Sequence, residues 1–318
     1  MRITIKEAAE FLRNHDDYLI LMHSNPDGDT LGCGFALCGA LQRMGKLAKA
    51  VCADPIPRRF DYLYKAVEQQ EFEPQTIVAV DVADAKLLTE NEPLGLEAEL
   101  CIDHHVSNKE YAARTLLEPD YAAACELVYQ VICELGVTID KDVANCLYTG
   151  VATDTGCFKY SNTTPQTHII AAKLIELGAE ISPINYVMFD MKTPMRLELE
   201  QAALAGLRYY GEGRIAVISV SLALLETMVN VDSEDIGALA SIPRQIEGVD
   251  IGISIKEKKP GLYKASLRSS EKADVSQIAA VFGGGGHARA AGCSFEGMAY
   301  EEAEAKLVAE CEKALGLS

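Results

Sequence analysis

The segment HSNPDGDT, residues 23–30, places one imidazole and two carboxylates within a few residues of each other. A proline and a glycine lie between them, and both help the chain to bend so that His23, Asp27 and Asp29 face inward together. Imidazole and carboxylate groups without a thiolate suit manganese or a similar divalent cation. The segment is therefore a candidate metal-binding loop.

Three further segments carry aspartate or histidine where a predicted strand or helix passes into a loop. They contain Asp81 with Asp84, the triplet Asp103, His104 and His105, and Asp154. Each of these residues alone would also fit a helix cap, a turn or a surface position. Several carboxylates at one sheet edge, however, repel one another strongly unless cations lie between them. The joint occurrence of four such segments favours a metal site.

Apolar runs separated by helical patterns indicate the elements that would position these residues. Strands are predicted at 17–24, 47–54, 76–84 and 98–105, and helices at 31–45, 121–137, 142–153 and 163–179. This alternation predicts an α/β domain whose mostly parallel sheet is flanked by helices. Ligands bind at the carboxyl ends of the strands in such domains, where the four polar segments fall.

The pattern changes near residue 185, which we take as the end of a metal-binding catalytic domain over residues 1–185. Residues 186–204 are predicted to form a helical linker. Residues 205–318 are predicted to form a smaller α+β domain, with strands in RIAVISVSLALLE and a short helix in DVSQIAAVF. The 318 residues thus predict two domains, in keeping with typical domain sizes.

The charge balance restricts the partners of the chain. It has 47 acidic and 29 basic residues, a formal net charge of -18, so long duplex DNA is an improbable partner. A small phosphate compound attracted by bound cations remains compatible with this charge.

No apolar run reaches the roughly 18 residues of a membrane span, and the N-terminus lacks a signal-peptide pattern, so we expect a cytoplasmic protein without a membrane partner. None of the ten cysteines forms a CxxC pair, which favours reduced thiols over structural zinc or disulfides.

Four motifs of this chain resemble those of the DHH phosphoesterase family, in the same order. They are HSNPDGDTLG, VAVDVAD, IDHHVSN and ATDTGCF. SLRSS and FGGGGHARAAG are similar to the C-terminal domain that accompanies the motifs, and the set is most similar to the family's bifunctional oligoribonucleases and PAP phosphatases (nano-RNases). The resemblance covers nearly the full length, with only a general match over 185–230. It implies two domains with the active site in the cleft between them.

The resemblance also implies a pair of manganese ions, for which Mg²⁺ or Co²⁺ are possible substitutes. The first ion would be held by His23, Asp27 and Asp81, and the second by Asp29, Asp81, His104 and Asp154. Asp81 would bridge both ions and count as catalytic, together with Asp103 and His105. Asp103 would orient His104 from behind, as carboxylates do for ligating histidines. His105 would point to the substrate phosphate.

The glycine run of the second domain is a candidate anion site. Four successive glycines allow backbone N–H groups to approach an anion, although the run alone would also fit a flexible turn. Arg268 strengthens the interpretation because arginine binds phosphate through two N–H groups. The residues predicted to bind substrate are Arg268, Ser269, Gly284, Gly285, Gly286 and His287.

The activity implied by the resemblance is hydrolysis of short RNA of about two to five nucleotides, including the linear dinucleotides pApA and pGpG. 3'-Phosphoadenosine 5'-phosphate (PAP) would be cleaved to AMP and phosphate. A metal pair would generate the attacking hydroxide near neutral pH, without a covalent intermediate. Two alternatives stay open: a cyclic-dinucleotide (c-di-AMP) phosphodiesterase, and a nucleotide-binding sensor without turnover. The sequence also leaves open a homodimer.

Overall fold

A computed structural model describes residues 1–228, 231 and 233–317 of the chain. The chain divides into two compact units, Met1–Met191 and Lys192–Ser318. The residues predicted as a linker, 186–204, are therefore shared between the two units. Nowhere in the described ranges is a helix both long enough and apolar enough to cross a membrane.

The first unit is built on five parallel strands. They are β1 (Tyr18–Met22), β2 (Ala48–Cys52), β3 (Thr76–Val80), β4 (Leu100–Asp103) and β5 (Arg114–Leu117), in the spatial order β2-β1-β3-β4-β5. The first four lie within the apolar runs that predict strands, whereas RTLL of β5 was not predicted. Strands that are covered on both faces are continuously apolar, which is why YLILM forms β1 and TIVAV forms β3.

Helices cover both faces of this sheet. They are α1 (Ile5–Asn14), α2 (Gly28–Arg43), α3 (Glu92–Leu96), α4 (Ala124–Leu135), α5 (Lys141–Asp154), α6 (Pro165–Glu176) and α7 (Ile181–Asn185). On one face Ile20 and Met22 pack into a core that includes side chains of α1, α2, α4 and α5. On the other face Leu19 and Leu21 pack into a core with Leu88, from a 3-10 helix at Ala85–Asn91. The predicted α/β class with a parallel, helix-flanked sheet is confirmed.

The strand order creates a switch point beside β1. The chain passes from β1 through α2 to β2 on one side, and then to β3 on the other side of β1. The connections that leave the carboxyl ends of β1 and β3 therefore diverge, which opens a crevice between them. His23 follows β1 and Asp81 follows β3, so both residues lie at this point.

The second unit has a six-stranded sheet. Its strands are β6 (Arg208–Tyr210), β7 (Ile215–Val220), β8 (Ile251–Lys259), β9 (Leu262–Ser269), β10 (Gly285–His287) and β11 (Ala290–Glu296). The α-helices of this unit are α8 (Pro194–Ala205), α9 (Leu222–Glu226), α10 (Ser233–Ala238), α11 (Val275–Val281) and α12 (Tyr300–Ala314). The order is β10-β11-β9-β8-β7-β6, with β7 and β8 parallel and the other neighbouring strands antiparallel.

Two details of the second unit differ from the expectations. The segment LALLE forms the helix α9 and not a strand, because the Ser221 hydroxyl accepts the backbone N–H of Leu224 and caps a new helix. Helix α8 lies in the predicted linker but packs within the second unit, where Leu199 and Ala203 share a core with Ile218.

Candidate metal centre

The loop after β1 is organised by Asp27. Its carboxylate Oδ1 accepts the backbone N–H groups of Asp29 at 3.0 Å and Thr30 at 3.1 Å, and thereby caps α2. The cap starts α2 at Gly28, earlier than residue 31 as predicted. The same Oδ1 lies 3.7 Å from His23 Nε2. The loop thus brings the imidazole and carboxylate of HSNPDGDT together.

Asp81 occupies the centre of the site. It follows β3 with a φ of 56°, in the left-handed region, which aspartate tolerates better than most side chains. Its backbone N–H donates to the Ile102 carbonyl oxygen at 2.8 Å, which holds this turn against β4. Asp81 Oδ2 lies 3.6 Å from His23 Nε2, and Oδ1 lies 3.6 Å from His104 Nε2. Asp81 Oδ1 also lies 3.4 Å from His105 Nδ1, so the carboxylate faces three histidines through its two oxygens.

A second cluster surrounds His104. Its Nε2 lies 3.4 Å from Asp154 Oδ2 and 3.8 Å from Asp29 Oδ2, in addition to its separation from Asp81. These distances exceed those of good hydrogen bonds, so the groups enclose a common space without bonding to one another. Ligating atoms of Asp29, His104 and Asp154 lie within 4.8 Å of each other, as do those of His23, Asp27 and Asp81. Both predicted ligand sets are brought together.

The residues of these clusters fit a divalent cation. Asp81 Oδ1 and His104 Nε2 are buried and have no hydrogen-bond partner among the described residues. Buried polar atoms are rarely left in this state, and a cation between the two atoms would satisfy both. The donors of the two sets are oxygen and nitrogen only, which is the chemistry that suits manganese or magnesium better than softer metals.

Electrostatics also favours a cation at this site. Burial raises the pKa of Asp29 and Asp81, and mutual repulsion among the carboxylates raises them further. The same two causes raise the pKa of Asp154 to about 9. Burial lowers the pKa of His23, but interaction with Asp27 and Asp81 outweighs it and raises the value to about 11. A bound cation would relieve both the burial of these carboxylates and their mutual repulsion.

The DHH triplet is arranged differently from the expectation for Asp103. The predicted orientation of the His104 ring by Asp103 is wrong, because His104 Nδ1 lies 3.0 Å from the backbone oxygen of Tyr121. Asp103 Oδ1 instead lies 2.8 Å from the ring Nδ1 of His105 and accepts the backbone N–H of His104 at 2.8 Å. Asn108 donates to the other oxygen of the Asp103 carboxylate.

This arrangement raises the pKa of His105. Its hydrogen bond to Asp103 is the main cause that raises the His105 pKa, against the opposing effect of burial. Burial raises the pKa of the Asp103 carboxyl, but the bonds from His105 and Asn108 outweigh it and lower the value. Both shifts favour an ion pair between the Asp103 carboxylate and a protonated His105 ring. About 45% of the His105 side chain is exposed, so it is accessible to an anion.

Asp29 has a second role that the sequence does not indicate. Its Oδ2 accepts the backbone N–H of Ala124 at 2.6 Å, and its Oδ1 accepts that of Cys125 at 3.0 Å. Helix α4 has Ala123 at its N-cap position and no side-chain cap of its own. Asp29 therefore caps α4 from α2 and places its negative charge at the positive end of that helix.

Close packing behind Asp29 depends on a glycine of α5. A Cβ at Gly150 would lie 2.5 Å from Asp29 Oδ1 and would overlap the sulfur of Cys125. No larger residue fits without moving the carboxylate. A glycine inside a helical pattern is the sequence signal that could have identified this position. Two residues that contact the DHH triplet were also not predicted. Asn108 could have been identified from its place within the motif IDHHVSN. Tyr121 contributes a backbone carbonyl oxygen, which no side-chain pattern in the sequence can indicate.

The predicted substrate residues of the second unit are separated by the structure into two groups. Arg268, Gly284 and Gly285 line a common cavity of about 570 Å³, whereas Ser269, Gly286 and His287 are not among its lining residues. Ser269 is buried, and its hydroxyl donates to the backbone oxygens of Ala273 and Ala288. A structural role therefore replaces the substrate contact expected of Ser269.

Asp84 also has a structural role, since its Oδ1 accepts the backbone N–H of Lys86 at 3.1 Å. It caps the 3-10 helix at Ala85–Asn91 and belongs to neither candidate ligand cluster among the described residues.

A cluster of carboxylates and imidazoles at the switch point of a parallel sheet, joined to a second unit with an arginine-lined cavity, defines a phosphoester hydrolase. The DHH family, N-terminal domain, matches residues 17–151, and the DHHA1 domain matches residues 218–316. The chain belongs to the DHH family.

Individual proteins agree with this assignment. The chain is 30% identical over 292 residues to the bifunctional oligoribonuclease and PAP phosphatase NrnA of Thermus thermophilus, covering 89% of this chain and 86% of that protein. An exopolyphosphatase-related protein from Bacteroides fragilis has a similar structure, with a TM-score of 0.87, 25% identity and coverage of 98% and 96%. RecJ in complex with Mn²⁺, also from Thermus thermophilus, shares the fold, with a TM-score of 0.56, 16% identity and coverage of 97% and 55%.

Proposed function

We propose that this chain hydrolyses short oligoribonucleotides of about two to five nucleotides, and PAP, with the help of two manganese ions. The observation that carries the proposal is the convergence of two oxygen and nitrogen donor sets on Asp81. One set adds His23 and Asp27 to Asp81. The other adds Asp29, His104 and Asp154. A pair of ions close together is an arrangement that phosphatases and nucleases use for phosphoester hydrolysis.

The ions, when bound, would supply a hydroxide near neutral pH and neutralise charge on the phosphate oxygens. The remaining work falls to side chains of this unit. His105 presents an imidazolium with an exposed edge, held in place by Asp103 at 2.8 Å. An imidazolium donates a charge-assisted hydrogen bond to a phosphate oxygen. We therefore assign His105 to the substrate phosphate and Asp103 to holding its orientation and charge.

The second unit offers a separate place for a phosphate. Arg268 and the backbone of Gly284 and Gly285 line one cavity, which supports a phosphate site there. Gly286 is better explained by packing, because a Cβ at this residue would lie 2.5 Å from the carbonyl oxygen of Ala290. His287 is exposed on β10 and stays a predicted substrate residue.

The substrate class follows from the relatives and the charge. NrnA of Thermus thermophilus is named as an oligoribonuclease and PAP phosphatase, and it aligns with most of this chain. A formal net charge of -18 opposes the binding of a long polyanion, because such binding needs many basic contacts. A substrate with few phosphates, attracted by cations at the Asp81 centre, avoids this repulsion.

The proposal is tested by incubating the purified chain with Mn²⁺ and, separately, pApA, PAP, pyrophosphate and c-di-AMP. We expect AMP from the first two and little product from the others. Faster turnover of c-di-AMP would favour the cyclic-dinucleotide phosphodiesterase, and binding without any product would favour a sensor.

The Asp81→Asn variant provides the matching test of the centre. It keeps the size of the side chain but removes the shared charge, so we expect hydrolysis to be abolished while the circular dichroism spectrum is retained. Asp84→Asn is the control, because Asp84 also follows β3 but only caps a 3-10 helix. Normal turnover by Asp81→Asn would refute the bridging role.

A further inference from the structure

One face of the sheet in the second unit is polar although the opposite face is packed. Tyr263, Ala265 and Leu267 of β9 point into the core of this unit. The alternate residues Lys264, Ser266 and Arg268 are exposed or half-buried, because successive side chains of a strand point to opposite faces. We call the face that carries these three residues the open face.

Cross-strand neighbours continue the open face onto β8 and β11. Lys256 pairs with Lys264, and Ser254 pairs with Ser266, across the β8–β9 ladder. On the other side Gly292 of β11 pairs with Ser266. The open face therefore has a floor of small residues, with a pair of lysines at one end and Arg268 at the other. Lys264 and Arg268 are four residues apart, about 13 Å along the strand.

Two cavities adjoin on this face. The cavity of about 570 Å³ that contains Arg268 also contains Lys264 and Ser266. A second cavity of about 250 Å³ shares these two residues and adds Lys256 and Lys258. Its remaining lining residues include Ile236 and Ala240, which supply an apolar wall beside the hydroxyl groups and ammonium groups. An apolar wall with a cationic rim suits a nucleoside bearing a phosphate.

The lysines of the open face have no acidic partner in the part of the chain that the structure describes. Like charges directly opposite on neighbouring strands destabilise a sheet. Burial lowers the pKa of Lys256, and repulsion from Lys258 and Lys264 lowers it further. By contrast, Lys259 of the same strand lies 3.3 Å from Glu296. In a chain with a formal charge of -18, an uncompensated lysine pair in a cavity indicates an anionic ligand.

Resting on the proposed function, we propose that Lys256 and Lys264 bind a phosphate of an oligonucleotide in addition to the phosphate held in the cavity of Arg268. The cavity of Arg268 would hold another phosphate of the same strand, about 13 Å from Lys264 along β9. The lysine pair and Arg268 are thus two phosphate-binding places on one sheet, which a trinucleotide such as pApApA is long enough to fill together and the single nucleotide PAP is not. The open face thereby favours substrates of at least three nucleotides.

The test is the double variant Lys256→Gln/Lys264→Gln. The ratio of kcat/KM for pApApA to that for PAP should fall about tenfold or more, since hydrogen bonds to charged groups contribute at that level. The salt dependence of pApApA binding should also weaken, with the slope of log K against log salt reduced by about 0.7 for one lost phosphate contact. Lys259→Gln is the matched control, because its charge lies on the same strand but is paired; it should preserve the ratio.

Fluorescence anisotropy with labelled pApApA in EDTA separates this inference from the proposed function, since binding is measured without turnover. Weaker binding by the double variant than by both the wild type and Lys259→Gln supports the lysine site, even if the wild type were to hydrolyse neither substrate. Equal binding by all three proteins, an equal loss in Lys259→Gln, or no binding by the wild type would overturn it. The variants' melting temperatures confirm that the second unit is folded.

Discussion

Replacing Asp29 should damage the fold as well as the metal centre, and the two effects can be measured separately. The Asp29 carboxylate is buried and accepts two backbone N–H groups at the start of α4, at 2.6 and 3.0 Å. A hydrogen bond to a charged group contributes about 1.5–3 kcal/mol. Burial of the carboxylate offsets part of this, because it raises the pKa of Asp29. We therefore expect Asp29→Ala to lower the free energy of unfolding of the metal-free first unit by about 2–4 kcal/mol.

Asp154 provides the comparison, since it belongs to the same predicted ligand set but caps no helix through its side chain. Burial and repulsion raise the pKa of Asp154 to about 9, so the neutral amide of Asp154→Asn should raise the metal-free stability at neutral pH, not lower it, while still abolishing activity. In a domain of this size each kcal/mol shifts the melting temperature by about 2–4 °C, which predicts a decrease of about 5–15 °C for Asp29→Ala.

The assay is thermal unfolding in EDTA, followed by circular dichroism, with activity measured in parallel with Mn²⁺. Asp29→Asn should lie between the wild type and Asp29→Ala, because an amide oxygen can still accept one of the two N–H groups. If Asp29→Ala and Asp154→Asn had equal melting temperatures in EDTA, the capping role of Asp29 would be refuted, whatever their activities.

Three further outcomes follow from the same geometry. Between about pH 4 and pH 9 the folded metal-free chain holds a proton at Asp154 that the unfolded chain has lost, so the free energy of unfolding should fall as pH rises, by up to about 1.4 kcal/mol per pH unit. Melting temperatures measured in EDTA at pH 6 and 8.5 check this. The same pH dependence in Asp154→Asn would contradict it. Gly150→Ala should push its Cβ against Asp29 and weaken Mn²⁺ binding, measured by calorimetry; wild-type affinity would contradict the packing argument. Asp103→Asn should lower the pKa of His105 and move the alkaline limb of the kcat/KM profile to lower pH, and an unmoved limb would exclude the imidazolium role.

Local patterns of the first unit predicted its elements well because each depends on neighbouring residues. Thr164 caps α6 as its position before Pro165 suggests, and the apolar runs 17–24 and 76–84 contain β1 and β3. Apolar patterns predicted the secondary structure less well where a specific hydrogen bond decides between a strand and a helix. The residues LALLE are apolar enough for a strand, yet a hydrogen bond to one serine starts a helix there.

The sequence by itself determined the residue types of the candidate metal centre and their placement after strands and at a helix end. Ligand sets around His23, Asp81 and His104 could be stated without coordinates, because the motifs that contain them resemble those of the DHH family. The chemistry of each donor is a property of its side chain, and so does not depend on how the chain packs.

Only the tertiary structure decided which partner each of these side chains has. Asp29 caps a helix that begins 95 residues later, His104 is oriented by a backbone carbonyl, and Asp103 bonds the ring of His105. The lysine pair on the open face likewise exists only through the register of β8 and β9. Such contacts join residues that are distant along the chain or involve the backbone, and neither kind leaves a periodic signal in the sequence.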